Sequence, residues 1–169
     1  FIGRDARTTG QEIVDIVTEV LVSEGIDVTV LGIVPTPTIL FLVRNQSYDG
    51  AMIVTASHNP REYNGIKLVT NRGMFTNEKE IEKIKEYIVS KEYCSTDKNG
   101  EMNIDTSLFL KHVEHILENI DVELIKSKKC KVVLDPINSA GSLITPILLE
   151  KLSCIVTVIN GVPNGDFAH

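Results

Sequence analysis

The stretch Ala51-Met-Ile-Val-Thr55, followed directly by Ala56-Ser-His-Asn-Pro60, decides the fold class and locates the candidate site. Its first half is short, apolar and partly β-branched, which is typical of a buried strand. Its second half is polar and contains turn-forming residues, so it predicts a loop at the carboxyl end of that strand. In open α/β sheets, ligands bind at such strand ends. We therefore expect reactive groups in this loop.

Strands and helices alternate along the chain around this stretch. The predicted strands are Phe1–Asp5, Val28–Ile33, Ala51–Thr55, Ile66–Thr70, Cys130–Leu134 and Ile155–Ile159. The predicted helices lie between Thr9 and Gly25 and at Thr38–Asn45, Asn77–Lys91, Leu108–Ile120 and Leu143–Leu152. Such alternation is typical of a parallel sheet covered by helices on both faces. The sequence predicts an α/β fold with three α/β/α layers and a mainly parallel sheet.

Three local signals refine these elements. Thr9 and Glu12 have the spacing of a capping box at the start of the first helix. Pro146 is tolerated only in the first turn of its helix, because proline lacks the N–H that later turns require. The polar stretch Ser95 to Asn103 predicts a loop.

The Ser57 loop contains three side chains that suit group-transfer chemistry. The Ser57 hydroxyl is a poor nucleophile unless a base, a metal or a phosphate assists it. His58 and Lys67 can give or take protons, and Lys67 can also place a positive charge near phosphate oxygens. Turns at Asn59-Pro60 and Asn64-Gly65 are expected to fold Lys67 back toward Ser57. Taken alone, such a segment is also common as an ordinary turn.

Composition excludes several classes of partner. A net charge of −6 argues against a nucleic-acid surface, which needs clustered Lys and Arg. No apolar stretch is long enough to cross a bilayer, so no membrane partner is expected. Cys94, Cys130 and Cys154 form no paired framework, which fits a reducing interior and predicts a cytoplasmic protein. The sequence leaves the oligomeric state open.

Two further groups have a structural and a functional interpretation. His112 and His115 lie one turn apart on a predicted helix, but no cysteine or carboxylate signature accompanies them, so we expect ordinary histidines rather than a metal pair. The segment from Asp135 to Gly141 could accept an anion at a helix start, but plain turn chemistry is the favoured interpretation.

Several motifs together resemble a known family. They are Thr55-Ala-Ser-His-Asn-Pro60 with Tyr63-Asn-Gly-Ile-Lys67, Gly3-Arg-Asp-Ala-Arg7, Gly32-Ile-Val-Pro-Thr-Pro37, Val132-Val-Leu-Asp135 with Asn138-Ser-Ala-Gly141, and Val162-Pro-Asn-Gly-Asp-Phe-Ala-His169. In this order they resemble the α-D-phosphohexomutase superfamily of phosphomannomutases and phosphoglucomutases. The resemblance runs over nearly the whole chain, although Ala168-His169 and Ser139-Ala-Gly141 depart from the family pattern.

The resemblance implies a domain organisation and an activity. Residues 1–126 would be the first domain without its extreme N-terminus, and residues 127–169 an incomplete second domain, with a boundary near Ile125 to Lys129. The chain would be a fragment of an enzyme that interconverts hexose 1-phosphate and hexose 6-phosphate, with mannose or glucose slightly favoured over glucosamine. The reaction would pass through a phosphoserine and a hexose 1,6-bisphosphate, which also acts as an activator. The isolated fragment would be inactive, because the third and fourth domains are missing.

The resemblance also assigns residue roles. Ser57 would carry the phosphoryl group and, through its phosphate, would bind Mg²⁺, whose other ligands are expected outside this chain. His58 would position Ser57 or assist proton transfer, and Lys67 would transfer a proton or stabilise charge. Arg4, Arg7 and Asn59 are candidates for substrate or phosphate binding. An alternative for the arginines is pairing with Asp5, favoured for Arg4, and an alternative for Asn59 is orienting the loop.

Two other functions are weighed against this one. A Ser-His hydrolase would need a Gly-x-Ser-x-Gly elbow, and Ser57 has neither glycine. A non-catalytic α/β module that binds sugar phosphates or a protein partner without turnover remains the main alternative.

Overall fold

The structure, a computed structural model, describes residues 1–91 and 96–167. Within these ranges the strands are β1 Ile2–Arg4, β2 Val28–Ile33, β3 Gly50–Val54, β4 Ile66–Thr70, β5 Met74–Phe75, β6 Met102–Ile104, β7 Lys131–Leu134 and β8 Ile155–Val158. The first six form one sheet in the order β5-β4-β3-β1-β2-β6. β3, β1, β2 and β6 run parallel, and β4 and β5 add an antiparallel edge. The predicted mainly parallel sheet is confirmed.

Helices cover both faces of this sheet. In the described residues they are α1 Gly10–Ser23, α2 Thr36–Asn45, α3 Glu78–Ser90, α4 Phe109–Glu118, α5 Val122–Lys128 and α6 Gly141–Lys151. On one face, Val14 of α1 packs against Ile2, Val30 and Val54. On the other face, α2 supplies Ile39, Leu42 and Val43, and Phe109 of α4 packs against the same cluster. The three-layer α/β/α prediction is confirmed.

Gly3 lets the central strand and α2 approach closely. A Cβ atom at this position would lie 2.6 Å from Ile39 Cδ1 and 2.7 Å from Val34 Cγ1. These distances are shorter than van der Waals contact, so a side chain at residue 3 would require the side chains of Ile39 and Val34 to shift. The packing that supports the end of β1 therefore depends on glycine here.

Two predictions about helix ends are wrong. Thr9 does not form a capping box, because its own backbone is helical, with φ −78° and ψ −7°, and its side chain makes no capping bond. A capping residue normally has extended backbone, which directs its oxygen toward the first turn. The Thr9 hydroxyl instead accepts a hydrogen bond from Asn64 Nδ2 at 3.1 Å. Helix α6 begins at Gly141, earlier than predicted, so Pro146 lies beyond its first turn.

Three short elements were not predicted, and the first of them is β5, which pairs antiparallel with β4. Met102–Ile104 pairs in parallel with Val28–Val30 as the edge strand β6, where the sequence predicts a loop through Asn103. This strand has only three residues, all exposed, so its Met-Asn-Ile sequence is too short to predict a strand. Helix α5 lies across the expected domain boundary, and its N-cap Asp121 accepts a bond from the Leu124 N–H.

The second unit of the chain contains β7, α6 and β8, with the two strands parallel and paired with each other. Helix α4 connects it with the first unit, since α4 contacts both α2 and α6. No helix among residues 1–91 and 96–167 is long and apolar enough to cross a membrane.

Candidate active site

The Ser57 loop lies at the topological switch point of the sheet. β1 lies between β3 and β2 in the sheet. The chain passes from β1 to β2 on one side of it and then crosses to β3 on the other side. The loops that follow β1 and β3 therefore open a crevice between their carboxyl ends, which is where α/β sheets bind ligands. The Asp5 N–H donates to the Val54 carbonyl at 3.1 Å, so the two loops begin side by side. The predicted placement of Ser57 at a strand end is confirmed.

Local turns give the loop a defined shape. The Asn59 N–H donates to the Ala56 carbonyl at 3.2 Å, and the Tyr63 N–H donates to the Pro60 carbonyl at 3.1 Å. Asn59 also donates from Nδ2 to the Ala56 carbonyl at 2.9 Å, so its side chain supports the first turn. The loop closes where the Thr55 N–H donates to the Gly65 carbonyl at 2.9 Å.

Ser57 has an exposed side chain on a backbone that is held in an unusual conformation. Its φ angle is +58°, in the left-handed region that residues other than glycine rarely adopt. Its N–H donates to Thr55 Oγ1 at 3.1 Å, and that hydroxyl donates to Asp5 Oδ2 at 2.6 Å. The hydroxyl of Ser57 lies 3.5 Å from His58 Nδ1, at the outer limit of a hydrogen bond. His58 is thus adjacent to the candidate nucleophile.

Arg7 lines the cleft beside Ser57 and pairs with Asp5, which is one of the two alternatives that the sequence left open for it. Its side chain is 1% exposed, and its Nε donates to Asp5 Oδ2 at 3.1 Å. The remaining four N–H groups face backbone carbonyls of the Ser57 loop: Nη1 donates to Pro60 at 2.6 Å and Tyr63 at 2.9 Å, and Nη2 to Ser57 at 3.0 Å and Asn59 at 2.7 Å. These bonds use all five donors of the guanidinium. No N–H of Arg7 is left for a phosphate.

Arg4 does not form the ion pair with Asp5 that was favoured for it, since that ion pair belongs to Arg7. Arg4 donates from Nη1 to the backbone carbonyl of Asp5 at 3.0 Å and from Nε to Gln11 Oε1 at 3.2 Å. Burial lowers the pKa of Arg4, and the carboxylates of Asp5 and Asp15 oppose that change. The Arg4 side chain therefore reaches from the end of β1 to the start of α1, half-buried beside the switch point.

Lys67 lies on β4 directly opposite Ile53 of β3. Its ammonium nitrogen lies 5.5 Å from the centre of the Phe75 ring, a cation–π contact on the β5 side. The chain does double back after Asn64-Gly65 as predicted. In the part of the chain that the structure describes, however, Lys67 does not line the cleft beside Ser57.

A cleft of about 500 Å³ opens beside Ser57 and is lined by both units of the chain. Ser57, His58 and Arg61 line it from the first unit, and Ile137, Asp166 and Phe167 from the second. Arg61 and Asp166 approach within 3.6 Å across the cleft and are both well exposed. The Phe167 ring centre lies 4.9 Å from Arg7 Cζ. Sequence reasoning did not single out Arg61, Asp166 or Phe167, although Arg61 lies inside the Pro60 to Tyr63 gap of the main motif.

The segment that follows β7 is bonded to the chain that follows β8. The Asn138 N–H donates to the Asn160 carbonyl at 2.8 Å, and its side chain donates to the Val162 carbonyl at 3.0 Å. Asn160 in turn donates from Nδ2 to both Asp135 oxygens, at 3.1 and 3.2 Å. These bonds agree with the turn interpretation of this segment.

Among the described residues, no three His, Cys, Asp or Glu side chains are grouped closely enough to hold a metal ion. A Mg²⁺ ion at Ser57 would therefore need ligands besides the serine phosphate, and residues 1–91 and 96–167 offer no ready group of three. His112 and His115 both pack on Phe41, with ring centres 4.7 and 4.9 Å away. His112 Nδ1 also hydrogen-bonds Thr38 Oγ1 at 2.9 Å, which gives this histidine a packing role between α4 and α2.

A serine on a braced loop at the switch point of an α/β sheet is an arrangement that suits ligand binding or group transfer, and comparison with known proteins identifies the family. Residues 1–94 match the model of phosphoglucomutase/phosphomannomutase α/β/α domain I, and residues 110–169 match that of domain II. The chain belongs to the phosphoglucomutase/phosphomannomutase family.

Individual relatives agree with this assignment. The chain is 38% identical to a phosphoglucosamine mutase of Methanocaldococcus jannaschii and 38% identical to a phosphoglucomutase/phosphomannomutase of Thermococcus kodakarensis, each over 98% of the chain. It spans 36% and 37% of the length of these two relatives. A crystal structure titled putative phosphomannomutase, from Thermus thermophilus, superposes with a TM-score of 0.86 over 98% of this chain and 38% of the other, at 24% identity, which supports the fold.

Proposed function

We propose that this chain is the phosphoryl-carrying part of a phosphohexomutase, an enzyme that interconverts hexose 1-phosphate and hexose 6-phosphate. The observation that carries the proposal is the Ser57 loop, in which an exposed hydroxyl stands on a backbone braced at the switch point. A phosphoryl carrier needs such an arrangement, because the hydroxyl must be accessible while its direction is fixed. Family membership supports the same chemistry.

The proposed cycle begins with phosphate on Ser57. A free hydroxyl of the bound hexose phosphate attacks that phosphorus, so a sugar O–P bond forms, the bond between phosphorus and Ser57 Oγ breaks, and the sugar becomes a 1,6-bisphosphate. The hydroxyl proton passes to a nearby base, and Ser57 Oγ takes up a proton as it leaves. After the bisphosphate turns around, Ser57 Oγ gives up that proton and attacks the other phosphorus, the bond from this phosphorus to the sugar oxygen breaks, and that oxygen takes up a proton. The isomeric hexose monophosphate then leaves. By the same step, hexose 1,6-bisphosphate also phosphorylates an unmodified Ser57 and so acts as the activator.

The neighbouring side chains have proposed roles that depend on their positions. His58 lies at 3.5 Å from the serine hydroxyl and either positions it or accepts a proton. Asn59 supports the turn that carries Ser57 and so acts on the loop. Arg4 lies beside the switch point and remains a candidate for substrate phosphate. Lys67 is proposed to stabilise charge or transfer a proton, which requires its side chain to leave Phe75 and turn toward the cleft.

Mg²⁺ would supply charge neutralisation at the transferring phosphoryl group, held in part by the phosphate on Ser57. Residues outside this chain would have to complete its coordination. The two relatives with 38% identity carry different names, one for glucosamine phosphate and one for glucose and mannose phosphates, so all three sugars are candidate substrates.

The main alternative is a module that binds sugar phosphates without turnover. Intact-mass analysis of the full-length gene product separates the two functions. A mutase carries one phosphate that disappears in Ser57→Ala, or takes one up from hexose 1,6-bisphosphate. A protein whose serine stays unmodified under both conditions would be a binding module.

Turnover is measured with glucose, mannose and glucosamine phosphates on the same protein. We expect Ser57→Ala to abolish turnover and to change the unfolding free energy by less than about 1 kcal/mol, because the side chain is exposed. Ser47→Ala is the matched control, since Ser47 is also exposed and has a φ of +55°. A large loss of stability in Ser57→Ala alone would show that the serine is structural.

A further inference from the structure

Four backbone carbonyls of the Ser57 loop converge on one buried cation. The oxygens of Ser57, Asn59, Pro60 and Tyr63 all accept hydrogen bonds from Arg7, at 2.6 to 3.0 Å. Carbonyl dipoles that point toward one another repel unless a positive charge lies between them. The shape of this loop therefore depends on the Arg7 guanidinium.

Both peptide groups of Ser57 are tied to the same ion pair. Its carbonyl accepts from Arg7 Nη2 at 3.0 Å. Its N–H donates to Thr55 Oγ1, whose hydroxyl donates to Asp5 Oδ2, the oxygen that also accepts from Arg7 Nε. A left-handed serine costs roughly 1 to 2 kcal/mol and persists only when its surroundings fix it. Here the Arg7–Asp5 pair fixes both sides of the residue.

A segment of the second unit, residues 165–167, packs over the Arg7 guanidinium. The Phe167 ring lies 4.9 Å from Arg7 Cζ. Gly165, at a φ of +75°, packs its backbone against the Ala6 carbonyl so closely that no Cβ would fit. Contact with the ring and burial exclude water from the guanidinium, which strengthens its bonds to the carbonyls.

We propose that Arg7 is a positioning residue for the phosphoryl-carrying serine: it holds Ser57 in the left-handed conformation that directs Oγ into the cleft, and it is not a ligand of substrate phosphate. This inference rests on the proposed mutase function. It predicts that replacing Arg7 lowers kcat and leaves KM nearly unchanged, because the residue acts on the nucleophile's direction and not on the sugar.

The planar fork of arginine is required for this role. One edge of the guanidinium binds the Asp5 carboxylate while the two terminal nitrogens bind four carbonyls. A lysine keeps the charge but has its three donors on one nitrogen, so it cannot reach both groups. Arg7→Lys therefore tests geometry separately from charge.

The experiment uses the full-length gene product charged with hexose 1,6-bisphosphate. We expect Arg7→Lys to lower kcat by about 10-fold to 100-fold while KM stays within about threefold, the size of effect that small misplacements of a reacting group produce. The phosphorus NMR signal of phosphoserine should shift or broaden, since the group is no longer held in one orientation. Arg44→Lys, on the exposed face of α2, is the control and should behave as the unmodified protein.

A second pair of variants tests the same inference if the Arg7→Lys protein does not fold. Thr55→Val removes the hydroxyl that ties the Ser57 N–H to Asp5, and Thr55→Ser keeps it. The valine variant should lower kcat with KM retained, and the serine variant should not.

Three results would overturn the inference: unchanged kcat in Arg7→Lys, unchanged kcat in Thr55→Val, or a KM raised about tenfold or more at constant kcat, as expected of a lost phosphate contact. If the unmodified protein carried no phosphoserine and showed no turnover, the proposed function itself would fail. That outcome is separate, because it is seen before any substitution.

Discussion

Thr55 offers a direct measure of how firmly the Ser57 loop is braced. Its side chain is buried, donates to the Asp5 carboxylate at 2.6 Å and accepts from the Ser57 N–H at 3.1 Å. Valine has nearly the same shape but makes neither bond. A hydrogen bond to a charged group contributes about 1.5 to 3 kcal/mol and a neutral one about 0.5 to 1.5 kcal/mol. Thr55→Val should therefore destabilise the closed loop by about 2 to 4 kcal/mol.

Native-state hydrogen exchange of peptides that cover Ser57 is the appropriate assay, because it reports local opening even where other domains unfold separately. A loss of about 2 to 4 kcal/mol corresponds to an opening constant raised about 30-fold to 1000-fold. Thr55→Ser keeps the hydroxyl and should remain within about tenfold of the unmodified protein. Thr157→Val, on an exposed strand position, should cause no change at the loop. An increase below about threefold in Thr55→Val would refute the bracing argument.

Three further substitutions test other parts of the structure. Lys67→Met should lower kcat by about 100-fold or more, as expected for a lost proton-transfer group, and unchanged kcat would remove Lys67 from the mechanism. Gly3→Ala should cost about 1 to 3 kcal/mol in urea unfolding, because its Cβ would overlap Ile39. Burial, and secondly the charge of His115, lower the pKa of His112. The unfolded chain then binds the proton more readily, so the stability that neutral His112 provides is present above about pH 6.5 and is lost as the pH falls below that value. His112→Gln should flatten this dependence in unfolding experiments between about pH 5 and 8, and equal slopes in both proteins would contradict it.

The position of Ser57 could be predicted from sequence because it depends on local patterns. A short apolar run gives β3, and the turn residues after it give the loop. The mainly parallel direction of the strands is indicated by their alternation with helices, and the return of the chain to β4 by Asn64-Gly65. Each of these inferences needs only neighbouring residues. The edge strand β6 was missed because three exposed residues carry no such pattern.

The surroundings of Ser57 could not be predicted in the same way. Arg7 reaches carbonyls more than fifty residues away in sequence, and backbone carbonyls leave no signature in the identities of the residues that carry them. The motif places an arginine beside an aspartate, but it does not say which arginine pairs with the carboxylate. Phe167 lies inside the Val162 to His169 motif, but the motif does not reveal its contact with Arg7, because that contact depends on how the two units pack.

The geometry of the site is therefore distributed over both units of the chain. Ser57 shares the left-handed conformation with Ile137, which also lines the cleft and has a φ of +48°. A β-branched residue adopts this conformation only under constraint. Here the Ile137 N–H donates to Asp135 Oδ1 at 2.9 Å, and the segment after β8 is bonded to the next residue. That same segment continues to Phe167, whose ring covers the Arg7 guanidinium. This guanidinium in turn holds the backbone of Ser57. A first unit cut off near residue 126 would keep the Ser57 sequence but lose this cover, so the second unit is itself part of the serine's environment.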